Sequence, residues 1–292
     1  MQLAEIIQKV KKLEIKTKRL VAGVFAGEYH SIFKGQGISF AEVRAYQIGD
    51  DIRSIDWRIT AKMRAPYIKL FEEERELTIF LMIDISASGN FGSTVKTKRE
   101  LAAEIASILG FAALKNNDRV GLILFSDKVE KYIPAKKGRN HLLAIIKEVF
   151  AFKAKNSRTS ISAGLDYFLK IHKKRAVVFL ISDFLDEKFE KKLSVVARKH
   201  QIIPIMIRDP KETELPKAGL LSLTDPETGE TLIINTHKKE IRDKFHNIKL
   251  SQILSKERMF KKLKLDLIQI NDPETYFEPM QKYFRKKARQ NR

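Results

Sequence analysis

The amino-acid sequence predicts an α/β protein built on a mostly parallel, Rossmann-like sheet with helices on both faces. Short apolar runs of strand length recur from about residue 76, and amphipathic stretches of helical period separate them. Most of these runs are continuously apolar instead of alternating with polar residues. Continuous apolar strands are typical of sheets that helices cover on both sides, so the two observations together give the fold class.

The predicted elements alternate along the chain. The run "TIFLMID" (78–84) predicts the first strand, because its apolar side chains are continuous and end at a carboxylate. A helix follows at 97–117, with Leu101, Ile105 and Ile108 on one face. The other strands are predicted at 119–126, 129–135 (an edge strand), 176–183 and 202–208, and the other helices at 141–152, 161–174 and 187–201.

Three segments are predicted. Residues 1–23 form an N-terminal helix, because apolar residues recur there at helical spacing between lysines. Residues 24–75 form a small β-rich subdomain of short strands and turns, because glycines punctuate this stretch and it has no helical period. Residues 76–292 form the α/β domain. It includes a hairpin insertion at about 210–236, where β-rich runs flank a Pro/Gly turn, and ends with helices at about 237–262 and 274–289 around the strand "LDLIQIN".

Composition and charge narrow the function classes. Lys and Arg number 56 against 36 Asp and Glu, a formal net charge of +20. Because no nucleic-acid-binding motif accompanies this charge, lysines that solvate exposed helix faces explain it better than a nucleic-acid partner, which stays an open alternative. No apolar run approaches the roughly 18 residues of a membrane span. With no secretion signal and no cysteine, we expect a cytoplasmic protein.

Oxygen-bearing side chains follow the predicted strands. Asp84, Asp127 and Asp183 come at the ends of three of them, and Ser86 and Ser88 follow the first. Because ligands collect outside the carboxyl ends of parallel strands, we expect Asp84, Asp183 and the two serines to converge there. Thr159, at the start of a predicted helix, adds a third hydroxyl. Such an oxygen-only set suits Mg²⁺ or Mn²⁺.

Several enzyme classes fit this pattern less well. A phosphoaspartyl enzyme of the haloacid dehalogenase type needs a second aspartate at the position of Ser86. The sequence contains no G-x-S-x-G elbow and no G-x-x-x-x-G-K-[ST] loop. No histidine stands in a recognisable base position. The sequence therefore favours a non-enzymatic binding protein, and a metal-dependent hydrolase that uses Asp84 and Asp183 is the enzymatic alternative.

The run Asp84-Ile85-Ser86-Ala87-Ser88 resembles the D-x-S-x-S motif of von Willebrand factor A domains, which carry a metal-ion-dependent adhesion site (MIDAS). Thr159 in "RTSI" resembles the threonine of the family's second loop, and Asp183 in "LISDF" resembles the aspartate of its third. The resemblance implies a metal held by Asp84, Ser86, Ser88, Thr159 and Asp183. It also implies that a protein partner completes the metal's coordination with a carboxylate.

The segment "FKGQGISFAEVRAYQIGDDIRSIDWRITAKMRAPYIKLFEEERELTIFLMIDIS" resembles the signature of the bacterial DUF58 family. This resemblance implies an A-domain core and association with MoxR-type AAA+ ATPases, hence an adaptor or partner role in a chaperone-like assembly. One departure is Arg158, which stands where relatives often have glycine and brings a positive charge beside the metal loop. We consider Arg158 as a neighbour of the metal ligands, and Asp127 either as such a neighbour or as the cap of the turn in "FSDKV".

A dense polar cluster surrounds the only tryptophan of the chain. The family signature favours a structural or partner-docking role for it over catalysis, and a buried ion-pair network is the favoured structural form. Its residues are Asp50, Asp51, Arg53, Asp56, Trp57 and Arg58.

Overall fold

The computed structural model describes residues 3–21, 26–32, 39–63, 65–72, 76–92, 96–152, 154, 158–225, 227 and 229–290. The strands are Ser39–Ala45 (β1), Tyr67–Glu72 (β2), Thr78–Asp84 (β3), Arg119–Phe125 (β4), Val129–Lys136 (β5), Val177–Ser182 (β6), Gln201–Ile207 (β7), Leu220–Thr224 (β8), Thr231–Asn235 (β9) and Ile268–Ile270 (β10). The α-helices are Leu3–Leu20 (α1), Ala26–Ile32 (α2), Trp57–Met63 (α3), Lys98–Lys115 (α4), Arg139–Ala151 (α5), Ile161–Ile171 (α6), Glu190–Lys199 (α7), Lys239–Lys262 (α8) and Phe277–Gln290 (α9).

A six-stranded sheet in the order β10-β7-β6-β3-β4-β5 forms the centre of the molecule. Strands β10, β7, β6, β3 and β4 are parallel, and β5 pairs antiparallel with β4 at one edge. The order places β3 next to both β4 and β6, so the loops after these three strands meet at one edge. The predicted α/β fold class, a mostly parallel sheet covered on both faces, is confirmed.

Side chains of the central strands point alternately to two hydrophobic layers. In β3, Ile79 and Leu81 pack with α4 and α5, whereas Phe80 and Met82 pack with α6 and α7 on the other face. This double burial explains why the central strands are apolar at nearly every position. No helix in the described ranges is both long enough and apolar enough to cross a lipid bilayer.

The segment before β3 contains two helices that the sequence did not predict. Helix α2 packs on α9, where the Tyr29 and Phe284 rings stack with centroids 5.9 Å apart and Arg285 pairs with Glu28 at 2.8 Å. Helix α3 lies between β1 and β2, which pair antiparallel. Both helices have seven residues. They are too short to show a helical period in the sequence.

Candidate metal centre

Asp84 lies at the carboxyl end of β3, and the loop behind it folds back onto its carboxylate. The amide of Ser86 donates to Asp84 Oδ1 at 3.0 Å, and the hydroxyl of Ser182, the last residue of β6, donates to Oδ2 at 2.7 Å. A short 3₁₀ turn at Ala87–Asn90 then brings Ser88 beside Ser86, with their Oγ atoms 3.0 Å apart. Ser86, Ser88 and Ser182 are buried, so their hydroxyls face the protein interior.

These groups border a small cavity of about 20 Å³. That volume suits one water molecule or one small ion. Four of the five predicted ligands line it: Asp84, Ser86, Ser88 and Asp183. Carboxylate and hydroxyl oxygens are the donors that Mg²⁺ and Mn²⁺ prefer, so these four residues fit the predicted cation. The other lining residues are Gly89, Lys98, Arg99, Ala102, Ile181, Ser182 and Ile207.

The Asp84 carboxyl is poorly suited to carry its charge alone. Burial, and then the negative charge of Asp183, raises the pKa of Asp84 to about 7 from the ordinary 3.8. Its hydrogen-bond donors, Ser86 and Ser182, are neutral, and no described lysine or arginine forms an ion pair with it. A bound cation would supply the missing positive charge and favour the ionised form.

Asp183 has an internal partner that the sequence did not reveal. Its Oδ2 accepts from the ammonium of Lys98 at 2.8 Å, and its Oδ1 accepts from the amide of Leu185 at 3.3 Å. The same ammonium donates to Glu212 at 2.6 Å. Although burial lowers it, the charges of Asp183 and Glu212 raise the pKa of Lys98 above its ordinary value, so the lysine is protonated.

Thr159 lies in the neighbouring loop but does not line the cavity. The amide of Ser160 donates to Ser126 at the end of β4 at 2.7 Å, which holds this loop at the same edge of the sheet. The Thr159 hydroxyl donates to Glu227 Oε1 at 2.6 Å, and its amide lies 3.3 Å from Oε2. Glu227 belongs to the turn between β8 and β9. Arg158 beside it is exposed.

Asp127 also lies outside the cavity. It is exposed in the turn between β4 and β5. Ser126 Oγ lies 3.2 Å from its Oδ1 and 2.5 Å from Glu130 Oε1. The structure therefore brings Asp84, Ser86, Ser88 and Asp183 together and leaves Thr159 and Asp127 with other partners.

Ser182, Lys98 and Glu212 are the site residues that sequence reasoning missed. Ser182 could have been noticed in the sequence, because it is a polar residue at the end of the otherwise apolar strand β6. Lys98 directly follows Thr97, which caps α4 with a capping box. Glu212 offers no comparable signal, since it lies in a separate 3₁₀ turn at Pro210–Glu212.

A comparison with protein-family models matches residues 42–253 to "Protein of unknown function DUF58". The chain belongs to the DUF58 family. Among curated proteins, Rv1480 of Mycobacterium tuberculosis is 30% identical over 223 residues, which cover 75% of this chain and 70% of that protein. The matched region spans β3 and the loops that follow β3, β4 and β6, so the candidate site lies within the DUF58 region.

Solved structures resemble this DUF58 chain at low sequence identity. An aerotolerance-related membrane protein from Bacteroides fragilis aligns with a TM-score of 0.50 at 14% identity, over 73% of this chain and 99% of that one. At that identity the likeness shows the fold alone. Proximal thread matrix protein 1 from the mussel byssus, solved with a zinc-occupied MIDAS motif, aligns with a TM-score of 0.37 at 15% identity, over 46% of this chain and 39% of that one.

The DUF58 region also includes the polar cluster around Trp57, which is not the buried network that was expected. Asp50 forms an ion pair with Arg44 of β1 at 2.7 Å, and this pair is partly exposed. Asp51 accepts from the amide of Arg53 at 3.0 Å and caps a 3₁₀ turn. Asp56 accepts from the amide of Arg58 at 2.9 Å at the start of α3.

The side chains that follow these caps face solvent. Trp57 is 68% exposed, and Arg53 and Arg58 are also exposed. The aspartates of the cluster therefore shape local turns.

Proposed function

We propose that this DUF58 protein is a non-enzymatic interaction module that binds a carboxylate of a protein partner through a divalent cation. The observation that carries the proposal is the cavity bordered by Asp84, Ser86 and Ser88. The cavity has the volume of one small ion, and the Asp84 carboxylate forms no ion pair with a described lysine or arginine. The family resemblance to von Willebrand factor A domains supports the same reading.

Asp84, Ser86 and Ser88 would hold Mg²⁺ or Mn²⁺ directly. When bound, the cation supplies charge and an open coordination position for the partner's carboxylate. The backbone does the positioning, because the amide of Ser86 and the hydroxyl of Ser182 fix the two oxygens of Asp84. Asp183 would act through a water molecule while Lys98 holds it, and Thr159 would join only after Glu227 has left it.

The lining of the cavity supports binding over catalysis. The described residues that line it carry hydroxyls, carboxylates and cationic groups, and none of these lining residues is a histidine. Lys98, which would have to lose its proton to act as a base, is held protonated by two carboxylates. The hydrolase alternative therefore cannot use Lys98 as its general base.

A metal-dependent thermal shift tests the cation. We expect 1–5 mM Mg²⁺ or Mn²⁺, roughly the range in which weak carboxylate sites fill, to raise the melting temperature of the wild type but not that of Asp84→Ala. Asp127→Ala, which removes an exposed carboxylate outside the cavity, should respond like the wild type. An equal metal response in Asp84→Ala would contradict the assignment.

The family resemblance names a class of partner, the MoxR-type AAA+ ATPases. We expect the purified protein to bind the MoxR-type ATPase of the same genome in the presence of Mg²⁺ and to lose it in EDTA. Asp84→Ala should also lose the partner, whereas Asp127→Ala should keep it. Binding that survives both EDTA and Asp84→Ala would refute metal gating.

A further inference from the structure

Lys98 places a positive charge inside the wall of the candidate metal site. It is the first residue of α4, and its side chain is only 6% exposed. A capping box fixes where this helix begins: the amide of Glu100 donates to Thr97 Oγ1, and the amide of Thr97 donates to Glu100 Oε2, both at 3.2 Å. Because side chains in a helix lean toward its N-terminus, the Lys98 side chain can extend back from α4 to Asp183, which follows β6.

The lysine occupies the carboxylate that a metal would use. Its Nζ lies 2.8 Å from Asp183 Oδ2 and 2.6 Å from Glu212 Oε1. A buried ammonium is tolerated only with such compensation, and the same holds for the buried Asp183 carboxylate. The two buried charges therefore compensate each other. While they are paired, Asp183 is less available to bind a cation in the cavity.

The remaining charges of the cavity also oppose a divalent cation. Arg99 lines it as well, and the buried Nε and Nη2 of its guanidinium have no hydrogen-bond partner among the described residues. Asp84 is the one lining carboxylate that no described lysine or arginine neutralises in an ion pair. An incoming cation thus meets one uncompensated carboxylate and the ammonium of Lys98 in the same small space.

We infer that Lys98 is a resident cation that sets the divalent-metal affinity of this site and keeps it low. The inference rests on the proposed function, because it concerns the same metal. Lys98 lowers the affinity in two ways: it holds Asp183 by a charge-assisted hydrogen bond, and it repels a second positive charge across a few ångströms of low-dielectric protein. Lys98 is therefore a positioning residue for Asp183 and does not itself ligate the metal.

Mn²⁺ titrations, with the free ion measured by its electron paramagnetic resonance signal, test this role. Lys98→Met keeps the length of the side chain without its charge, and Lys98→Gln keeps a hydrogen-bond donor. We expect both variants to bind Mn²⁺ about 10- to 100-fold more tightly than the wild type. Melting curves followed by circular dichroism establish that each variant is folded.

Two variants serve as controls. Lys96→Met removes the same charge two residues earlier, where the ammonium pairs with Glu104 at 2.7 Å outside the cavity, and should change the affinity less than about twofold. Lys98→Arg keeps the charge and should stay near the wild type.

The outcomes separate this inference from the proposed function. If the wild type binds Mn²⁺ and the folded Lys98→Met and Lys98→Gln bind it no more tightly, Lys98 does not set the affinity, and the proposed function stands. If the variants bind Mn²⁺ and the wild type does not at millimolar concentration, the role of Lys98 is supported and the metal dependence of the natural protein fails. Absence of binding in every folded chain overturns both.

Discussion

At the scale of single residues, Asp84 couples the charge of the site to the stability of the fold. Its pKa is raised to about 7 by burial and by Asp183, from an ordinary value of 3.8. Because the folded state holds the proton more tightly than the unfolded state, this group stabilises the fold fully below about pH 3.8. That contribution is lost as the pH rises through about 7. Without a cation, the ionised Asp84 therefore costs stability at alkaline pH.

We expect Asp84→Asn to stabilise the metal-free protein at pH 8. The neutral amide removes the cost of the buried charge, about 1–3 kcal/mol for a group that keeps some access to solvent. Thermal melts in EDTA should show a rise of roughly 2–8 °C at pH 8 and a smaller rise at pH 5. Asp127→Asn, at an exposed position, should change little at either pH. A lower melting temperature for Asp84→Asn at pH 8 would contradict this account of Asp84.

His200 has the opposite effect on the pH dependence of stability, because its contribution is lost as the pH falls. It is buried, its ring packs edge-on against Phe168 at 4.7 Å, and neither ring nitrogen has a hydrogen-bond partner among the described residues. Burial, and then the charges of His172 and Lys199, lowers the pKa of His200 to about 4 from 6.5. The unfolded chain thus takes up the proton first as the pH falls. Stability is full above about pH 6.5 and declines toward pH 4.

His200→Phe should remove much of this acid sensitivity, because phenylalanine keeps the aromatic contact and has no proton to gain. Between pH 7 and pH 4.5, urea unfolding should show the wild type losing about 2–3 kcal/mol more than the variant. His237→Phe, at an exposed position, provides the matched control and should lose as much as the wild type. Equal losses in His200→Phe and the wild type would show that other groups cause the acid sensitivity.

At the scale of elements, a contact at the tip of the β8–β9 hairpin attaches the hairpin to the rest of the protein. In the part of the chain that the structure describes, the two strands pair only with each other, and large side chains such as Leu220 and Ile233 are exposed. At its base, Thr236 Oγ1 donates to Gly219 at 2.8 Å. At its tip, Glu227 accepts from Thr159 at 2.6 Å. Since the strands have little packing of their own, the Glu227–Thr159 contact ties the hairpin to the loop beside the candidate site.

Loss of this contact should loosen the hairpin. We expect Glu227→Ala to speed amide hydrogen exchange in 231–235 by on the order of tenfold, the equivalent of about 1.4 kcal/mol. Thr159→Val, which removes the hydroxyl from the other side, should act in the same way. Glu214→Ala removes an exposed carboxylate before the hairpin and should leave the exchange unchanged. Unchanged exchange in both Glu227→Ala and Thr159→Val would mean that the base alone holds the hairpin.

The elements that could be predicted best from the sequence are those with a strong local pattern of apolar residues. Strand β3 was predicted at its observed bounds, and β6 within a residue at each end, because strands buried on both faces must be apolar throughout. Helix α3 was missed although Asp56 caps it, because seven residues give only two turns of periodicity. Local patterns therefore predict the central sheet and fail for short helices.

Separation along the chain likewise decides which residues of the candidate site a sequence pattern can reveal. Asp84, Ser86 and Ser88 lie within five positions, and one loop brings them together, so a motif can reveal them. Lys98 reaches Asp183 across 85 positions, and Thr159 reaches Glu227 across 68. In a chain with 56 lysines and arginines, no local feature marks which one will be buried beside an aspartate. The groups that compensate the site's charges become visible only in the folded structure.

At the scale of the whole molecule, the surplus of positive charge is not consumed by internal ion pairs. Acidic side chains often serve two cations at once: Glu14 pairs with Lys18 and Arg139, and Glu104 contacts both Lys16 and Lys96. Pairing cannot change the balance, however: 56 lysines and arginines stand against 36 aspartates and glutamates, so a net charge of +20 remains. The surface therefore attracts polyanions whatever its specific partner is.

We expect the protein to bind heparin and mixed-sequence DNA weakly at about 50 mM NaCl and to release them by about 0.3–0.5 M, because counterion release drives such contacts. This binding should be the same for the wild type, for Asp84→Ala and in EDTA, since the candidate metal centre plays no part in it. Binding of the proposed protein partner, in contrast, should depend on the metal and only modestly on salt, because its contact is a coordinated carboxylate in a small cavity. Retention on one DNA sequence above 0.5 M salt would instead favour a nucleic-acid function, since charge alone gives neither sequence preference nor salt resistance.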